Sequence, residues 1–426
     1  MQLKNLGVAG GGIHFAIVAI TQPFFSLYAS ELGASTALIG FMVTLKALLP
    51  LFIAMPSGQL IDKLGAPIML TIGNGITVIS LALMVWSPNL PVLALSQILV
   101  GAGTLLMAAS LQVVVSEGDR SERERNIARY SAWSSAGTMI GPVVGGLIIT
   151  AAVSGWLPGI DGSDGQGYKS AFLFSLVMAL LFMVAVLGRT RKAARERVSL
   201  PEIGRMLGPK SVLQSYTSGA HLIKHEGVQF GLVSTFLIHY LQAIWMSFFP
   251  LYMDTLGYSA FVISLLVAIR GFASFISRAF LPWLMKGMSQ PGLLIAAGCI
   301  AAVSLSVLPI FTGHVLWIGL VSFVLGSAVG VNMPVSTMIM VTDENRGERG
   351  RIMGLRLFMN RVSQIAAPAM FGLMGQTIGL SAAFYTGGGV LLATIAGFGY
   401  MKRSTVAQAS VKKQEPAKES QSTLQA

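Results

Sequence analysis

Apolar runs of membrane-spanning length follow one another along almost all of the 426-residue chain, near 6–29, 36–57, 68–87, 91–115, 128–153, 170–188, 229–253, 259–281, 291–311, 315–341, 352–376 and 381–401. A run of roughly 20 apolar residues is what an α-helix needs to cross a bilayer. The pattern therefore predicts an all-α membrane protein of twelve transmembrane helices. The apolar rhythm breaks between 189 and 228 into a basic, mixed-polarity stretch. This break sets the predicted organisation: an N-terminal six-helix bundle over 1–188, a linker over 189–228, a C-terminal six-helix bundle over 229–403 and a tail over 404–426. In the linker, Leu200, Ile203, Met206 and Leu207 share one face if helical, which fits an amphipathic piece on the leaflet surface or an ordered loop. The tail is polar, rich in Lys, Gln and Ser, and predicted to be disordered. The Gly-rich stretch 154–169 reads as turns.

The second half repeats the first. At a shift of 224 residues, Phe24, Phe25, Leu27, Tyr28, Leu32, Gly33, Ser35, Ile39 and Val43 recur, and Lys46 falls opposite Arg270. At a shift of 226, Arg120, Glu122, Arg123, Arg125, Pro142, Gly146 and Leu147 meet Arg346, Glu348, Arg349, Arg351, Pro368, Gly372 and Leu373. General hydrophobicity does not align charges. With six spans per half starting on the same side, the halves form a parallel repeat about an axis along the membrane normal.

Composition agrees with lipid as the solvent: 54% hydrophobic, 11% charged, mean hydropathy +0.71. The formal charge of +12 would fit a nucleic-acid partner if it formed a patch, but its placement excludes that reading. Lys4, Lys63, Arg120, Arg123, Arg125, the run Arg189 to Arg197, Lys286, Arg346, Arg349, Arg351, Lys402 and Arg403 fall on one side of the predicted spans, and the other side offers Lys169. The positive-inside rule then puts both termini and the linker in the cytoplasm. The first apolar run reaches full length without a small-residue cleavage site, so it reads as a span rather than a removed signal. Cys299 is the only cysteine, which leaves no disulfide framework and no thiolate metal cluster. No cofactor is implied.

Two segments carry recognisable motifs. At the inner end of the second span stands Gly58-Gln-Leu-Ile-Asp62-Lys63-Leu-Gly65, where glycines let helix ends approach and an Asp can meet the exposed N–H groups of a neighbouring helix. The fifth span carries Gly137-x-x-x-Gly141-Pro142-x-x-Gly145-Gly146, small residues spaced for close packing around a Pro bend. These resemble the loop 2–3 signature and the fifth-span antiporter signature of the major facilitator superfamily. The spans, linker and repeat extend the resemblance over the chain apart from its tail. The resemblance implies alternating access, export, and gating by Gly58, Asp62, Lys63, Gly65, Gly141, Pro142, Gly145 and Gly146, with Asp62 docking near Ile352 and Met353. Two departures stand out. Ala66 and Pro67 follow the first motif where basic residues are usual, leaving Asp62 and Lys63 for its charge relay. In the fourth span, Gln97 stands where proton-coupled drug exporters of this superfamily hold an Arg, so coupling through that Arg lacks its residue here.

An ionisable side chain inside a bilayer costs about 2.5–3.5 kcal/mol on insertion scales and so calls for a partner or an aqueous cavity. Lys46 lies about a dozen residues from either end of its run, and Arg270 is comparably placed. Arg356 begins an i, i+4, i+8 stripe with Asn360 and Gln364. Carboxylates are absent at that depth: Glu31, Asp254, Asp62, Glu117, Glu226, Asp343 and Glu344 all sit at helix ends. Cations without internal counterions favour an anion from outside, so Lys46, Arg270 and Arg356 are candidate substrate contacts, structural pairing being the alternative. For the shallower Arg278 and Arg361 structural pairing is the better reading. His14 and His239 are the His residues well inside the bilayer and are candidates to carry a coupled proton near neutral pH, a neutral His hydrogen-bonded inside the bundle being the alternative. Gln22, Tyr240, Gln242 and Trp245, with Asn360 and Gln364, supply the mixed lining expected of a small-molecule site.

These features converge on a secondary active transporter, acting as a monomer in a bacterial inner membrane and exporting an anionic or zwitterionic organic solute against inward proton flow. A broad hydrophobic drug/proton antiporter and a proton-coupled uptake symporter are the alternatives within transport. An enzyme would need a nucleophile–base set or metal ligands, and no HExxH, GxSxG, CxxC or P-loop occurs. A sensor would need an output domain, and the tail is too short to fold as one.

Overall fold

The computed structural model describes residues 3–156, 162–190, 208, 220–341 and 348–403, so the amphipathic linker segment 200–207 and the tail 404–426 lie outside the described residues. Among the described residues the regular structure is helical throughout. The helices are α1 (Leu3–Glu31), α2 (Thr36–Leu64), α3 (Ala66–Val85), α4 (Leu90–Ser116), α5 (Arg120–Val153), α6 (Asp164–Thr190), α7 (Glu226–Thr255), α8 (Ala260–Ala279), α9 (Leu281–Gly287), α10 (Gln290–Val307), α11 (Val315–Met340), α12 (Arg349–Ile378) and α13 (Leu380–Met401).

Caps set the helix starts more sharply than the apolar runs do. Ser35, Asn89, Asp119, Ser259 and Ser289 each accept a hydrogen bond from a first-turn N–H, satisfying a donor that has no partner within the helix. This is why α5 begins at Arg120, well ahead of the apolar run at 128. Gly65, at φ 90°, ends α2 and opens α3 without an intervening loop. The predicted span 259–281 stops at Ala279, and Pro282, in the first turn of the short α9, re-aims the chain.

Eleven of these helices are long and apolar enough to cross a membrane. α12 is not among them, although it packs against α2, α7 and α13. Its Arg residues and its Asn360 and Gln364 lower its hydropathy, and much of that polarity faces protein rather than lipid.

Helices α1 to α6 pack largely on one another, as do α7 to α13, and the two sets meet where α2 lies on α12, α5 on α8 and α1 on α7. The first two seams are built from glycine. A Cβ on Gly40 would overlap the carbonyl oxygen of Pro368 and lie 3.0 Å from Gly372 Cα; a Cβ on Gly146 would overlap Ser264 Oγ and lie 3.0 Å from the carbonyl oxygen of Ala260. Gly40 and Ser264 are repeat mates at a shift of 224, and Gly146 and Gly372 are mates at 226. The two seams are therefore images of each other.

Both seams lie toward the loops 32–35 and 256–259. At the opposite end Gly58 has open space around it, Asp62 is exposed, and most of the first turns of α5 are exposed. The bundle is closed at one end and open at the other.

Candidate functional site

A cavity of about 330 Å³ lies between the two sets of helices. Helical spacing places its walls. His14, Val18 and Gln22 follow at i, i+4, i+8 on α1, and His239, Ala243 and Ser247 do the same on α7, with Gln242 beside them. Val43 and Lys46 come from α2, Thr104, Leu105 and Ala108 from α4, Met333 from α11, and Asn360, Arg361 and Gln364 from α12.

Lys46 is held by its backbone. A Cβ on Gly101 of α4 would overlap the Lys46 carbonyl oxygen, so only glycine lets α2 come this close. The C-terminal half repeats the contact, since a Cβ on Gly326 of α11 would overlap the carbonyl oxygen of Arg270. A side chamber of about 20 Å³, room for about one water, opens beside Lys46 and is lined by Thr21, Gln22, Phe25, Met84, Gln97 and Ser247 among others.

On α12 the polar side chains form a chain. Arg361 Nη1 donates to Gln364 Oε1 at 3.2 Å, and Gln364 Nε2 donates to Asn360 Oδ1. Both histidines are buried and line the same cavity. His239 Nδ1 lies 2.8 Å from the carbonyl oxygen of Thr235. A carbonyl only accepts, so the proton of the neutral ring is on Nδ1 and Nε2 is the acceptor. His14 Nδ1 has no hydrogen-bond partner. Among the described residues, no Asp or Glu lines the cavity.

The structure brings Lys46, Asn360, Gln364, Gln22, Gln242, His14 and His239 together on one wall system, and leaves four expected residues outside it. Arg356 turns onto α11, donating to the carbonyl oxygen of Met333 at 3.2 Å and to Ser336 Oγ at 3.4 Å. Arg270 is buried, with its Nη2 4.0 Å from Met246 Sδ. Trp245 is fully buried and stacks on Phe249 at 4.1 Å between centroids. Tyr240 is buried beside Phe236. Conversely Arg361, read from sequence as a structural cation, lines the cavity. The α4 face of Thr104, Leu105 and Ala108 was missed. Its signal is Gly101 one turn earlier, which marks the side of α4 that approaches Lys46.

The motif residues divide by what they touch. Cβ atoms added to Gly137, Gly141 or Gly145 would crowd α1 at Gly12, Ala16, Ala19, Ile20 and Phe24, so these three let α1 and α5 pack within one half. Gly146 alone of the four meets α8 of the other half. Pro142 lies inside α5. Asp62 is exposed at the open end, while Ile352 is buried near the start of α12.

Comparison with known proteins places the whole architecture. A family model described as Major Facilitator Superfamily matches residues 8–347. The chain is 23% identical over 403 residues to the multidrug resistance protein MdtG of Citrobacter koseri, covering 91% of this chain and 92% of that one. It is also 23% identical over 342 residues to a PmrA multidrug efflux pump homolog of Lactococcus lactis, covering 78% of each. Among solved structures, a peptide transporter in complex with sulfate superposes with a TM-score of 0.72 at 13% identity, covering 96% and 95% of the two chains. A bacterial homolog of the human lysosomal transporter Spinster, inward-facing and unoccupied, superposes with a TM-score of 0.71 at 14% identity and 96% of each chain. At such identities the likeness is one of fold. Eleven apolar helices and these bacterial relatives make the chain a multi-pass integral membrane protein of the bacterial inner membrane type.

Proposed function

The chain belongs to the Major Facilitator Superfamily of transporters, and from that premise we propose that it exports a small organic anion by proton-coupled alternating access. In this reading α12, the eleventh in chain order, also crosses the membrane and brings the spans to twelve. Residues 1–188 and 229–403 are the two bundles that rock on each other, 189–228 joins them, and both termini are cytoplasmic. The observation that carries the proposal is the charge of the cavity: Lys46 from one half and Arg361 from the other line it, and among the described residues no carboxylate does. Two cations facing one low-dielectric cavity favour an anionic guest. His14 and His239, in the same cavity, are the groups that exchange the coupled proton.

Basic ends in the cytoplasm make the state described open to the cytoplasm. Asp62 then acts in the other state, docking at the start of α12 when the open end closes. The neutral polar side chains Gln22, Gln242, Asn360 and Gln364 orient the solute, and the protein needs no cofactor and works as a monomer.

The test is flux. Purified protein in liposomes with an imposed pH gradient is offered labelled organic acids in parallel with lipophilic cations, the acids being chosen by a thermal-shift screen, because a ligand stabilises the state it binds. Saturable, gradient-driven flux of an acid is the expected result. Gradient-driven flux of lipophilic cations without acids would refute the anion reading. It would establish instead the second reading, a broad drug/proton antiporter, which the names of the relatives favour.

A further inference from the structure

The repeat pairs two corners of the molecule. In the N-terminal half Lys46 and Gln22 both line the cavity. Their mates at a shift of 224 are Arg270 and Met246. The backbones of the two corners match, Lys46 against Gly101 and Arg270 against Gly326. The side chains do not, because a polar Gln stands beside Lys46 where a thioether stands against the guanidinium.

Arg270 is only 6% exposed, Nε has no hydrogen-bond partner, and Nη2 reaches Met246 Sδ at 4.0 Å. A thioether sulfur is a weak acceptor and carries no charge. A buried guanidinium held so poorly is costly unless a counterion reaches it in some state of the protein. Met246 is half-buried, and its neighbours Ala243 and Ser247 line the cavity on the same helix. Methionine is unbranched with three rotatable bonds, so it is a side chain able to swing aside without moving the backbone.

Resting on the anion reading above, we infer that Arg270 forms a second anion-binding corner of the cavity, covered by the Met246 side chain in the state described, so that the site takes a solute with two anionic groups. The two corners support the class. Each presents one cation, Lys46 in one and Arg270 in the other, so a solute with two anionic groups can occupy both, whereas a monoanion fills only one.

The corner can be probed without knowing the solute. In a Cys299→Ser background, Met246→Cys is reacted in parallel with an anionic reagent, ethylsulfonate methanethiosulfonate, and a cationic one, the ethyltrimethylammonium analogue. The expected ratio of anionic to cationic rates, relative to a free thiol, is about tenfold or more, the lower end of what a focused local field does to encounter rates, and Arg270→Gln removes it. Gln22→Cys with and without Lys46→Gln is the matching pair for the open corner. Failure of Met246→Cys to react while Gln22→Cys reacts, or a ratio indifferent to Arg270→Gln, overturns the second corner. Absence of anionic preference at Gln22→Cys instead removes the anion reading beneath it. If Met246→Cys is not recovered folded, Ala243→Cys, about one turn away on the lining, reports the same field. The solute class is read separately by thermal shift of wild-type protein with succinate, glutarate and phthalate against their monoamides. The diacids are expected to stabilise and the monoamides not to, and no difference between the two sets overturns the dianion assignment.

Discussion

Two adjacent glycines on α5 separate folding from gating. A Cβ on Gly145 would lie 2.7 Å from Phe24 Cε2 and 2.9 Å from the carbonyl oxygen of Ile20, both on α1 within the same half. A Cβ on Gly146 would overlap Ser264 Oγ and lie 2.7 Å from Ser264 Cβ, both on α8 of the other half. Ser264 cannot simply rotate away without loss, since its Oγ donates to the carbonyl oxygen of Phe261 at 2.7 Å. Overpacking of this kind costs about 1–3 kcal/mol. On the proposed alternating access α1 and α5 stay together as the halves rock, so at Gly145→Ala the cost falls on every folded state and should appear as a lower melting temperature. At Gly146→Ala it falls on the state closed at this seam and is relieved when the seam parts. At about 1.4 kcal/mol per factor of ten, the equilibrium should move about 5- to 150-fold toward the opposite state.

The assay is labelling of Thr104→Cys, a cavity-lining position, in the Cys299→Ser background by a membrane-impermeant maleimide applied to either side of vesicles of known orientation. Gly146→Ala should raise labelling from the side that the seam closes and lower it from the other. Gly145→Ala should leave the ratio as it was. A drop in melting temperature for Gly146→Ala with no change of sidedness would refute the idea that the glycine seams are the moving contact, as would a sidedness change in Gly145→Ala.

Three further outcomes follow from the cavity. Lys46→Gln should lower organic-anion flux by tenfold or more, the loss typical of removing one partner of a desolvated charge contact, whereas Lys46→Arg should retain measurable flux; liposome uptake distinguishes them, and equal flux in Lys46→Gln and wild type sinks Lys46 as a substrate group. Replacing His14 and His239 together by Gln should abolish accumulation driven by a pH gradient but spare downhill exchange, which needs alternating access without net proton movement; a double mutant that still concentrates solute places the coupling group elsewhere. Asp62→Asn should slow turnover while solute affinity stays within a few-fold, because the carboxylate is exposed and remote in the state described and gains its helix N-terminus, worth about 0.3–1 kcal/mol, only on closure; loss of binding would make Asp62 a solute contact instead.

The sequence carries depth well and azimuth poorly. Apolar runs located the long helices because the bilayer fixes their length, and the repeat located matching positions because it recurs as charges and glycines. Gly33 and Gly257, mates at 224, do adopt the same left-handed turn at φ 82° and 81°. Which way a side chain points is another matter. Successive i+4 steps drift by about 40° around a 3.6-residue helix, so Arg356 lies about 80° from Gln364 after two steps. That is enough to turn Arg356 onto α11 while Arg361, three residues before Gln364, takes the cavity. Arg270 shows the same limit differently. Its backbone repeats that of Lys46, but its surroundings depend on whether residue 22 or 246 is a glutamine or a methionine. The break before α9 goes with Pro282, just past the end of the apolar run 259–281, and hydropathy does not register the backbone constraint of a proline.

The frame is symmetric and the chemistry mounted on it is not, and the asymmetry bears on how binding moves the halves. Lys46 rides on α2 of one set of helices and Arg361 on α12 of the other, and both line the open cavity. On the proposed alternating access, closing the open end without a guest expels water from between two like charges, and their repulsion grows as the dielectric falls. An anion between them turns that repulsion into two attractions. A solute bound this way interacts more strongly with the closing state than with the open one, and such a difference is the only means by which a ligand shifts a conformational equilibrium. A neutral or cationic solute of the same size lacks it. On the proposed function, then, selectivity for anions and the coupling of binding to closure rest on the same pair of residues, so a Lys46 variant that binds solute normally should not be able to close on it at the normal rate.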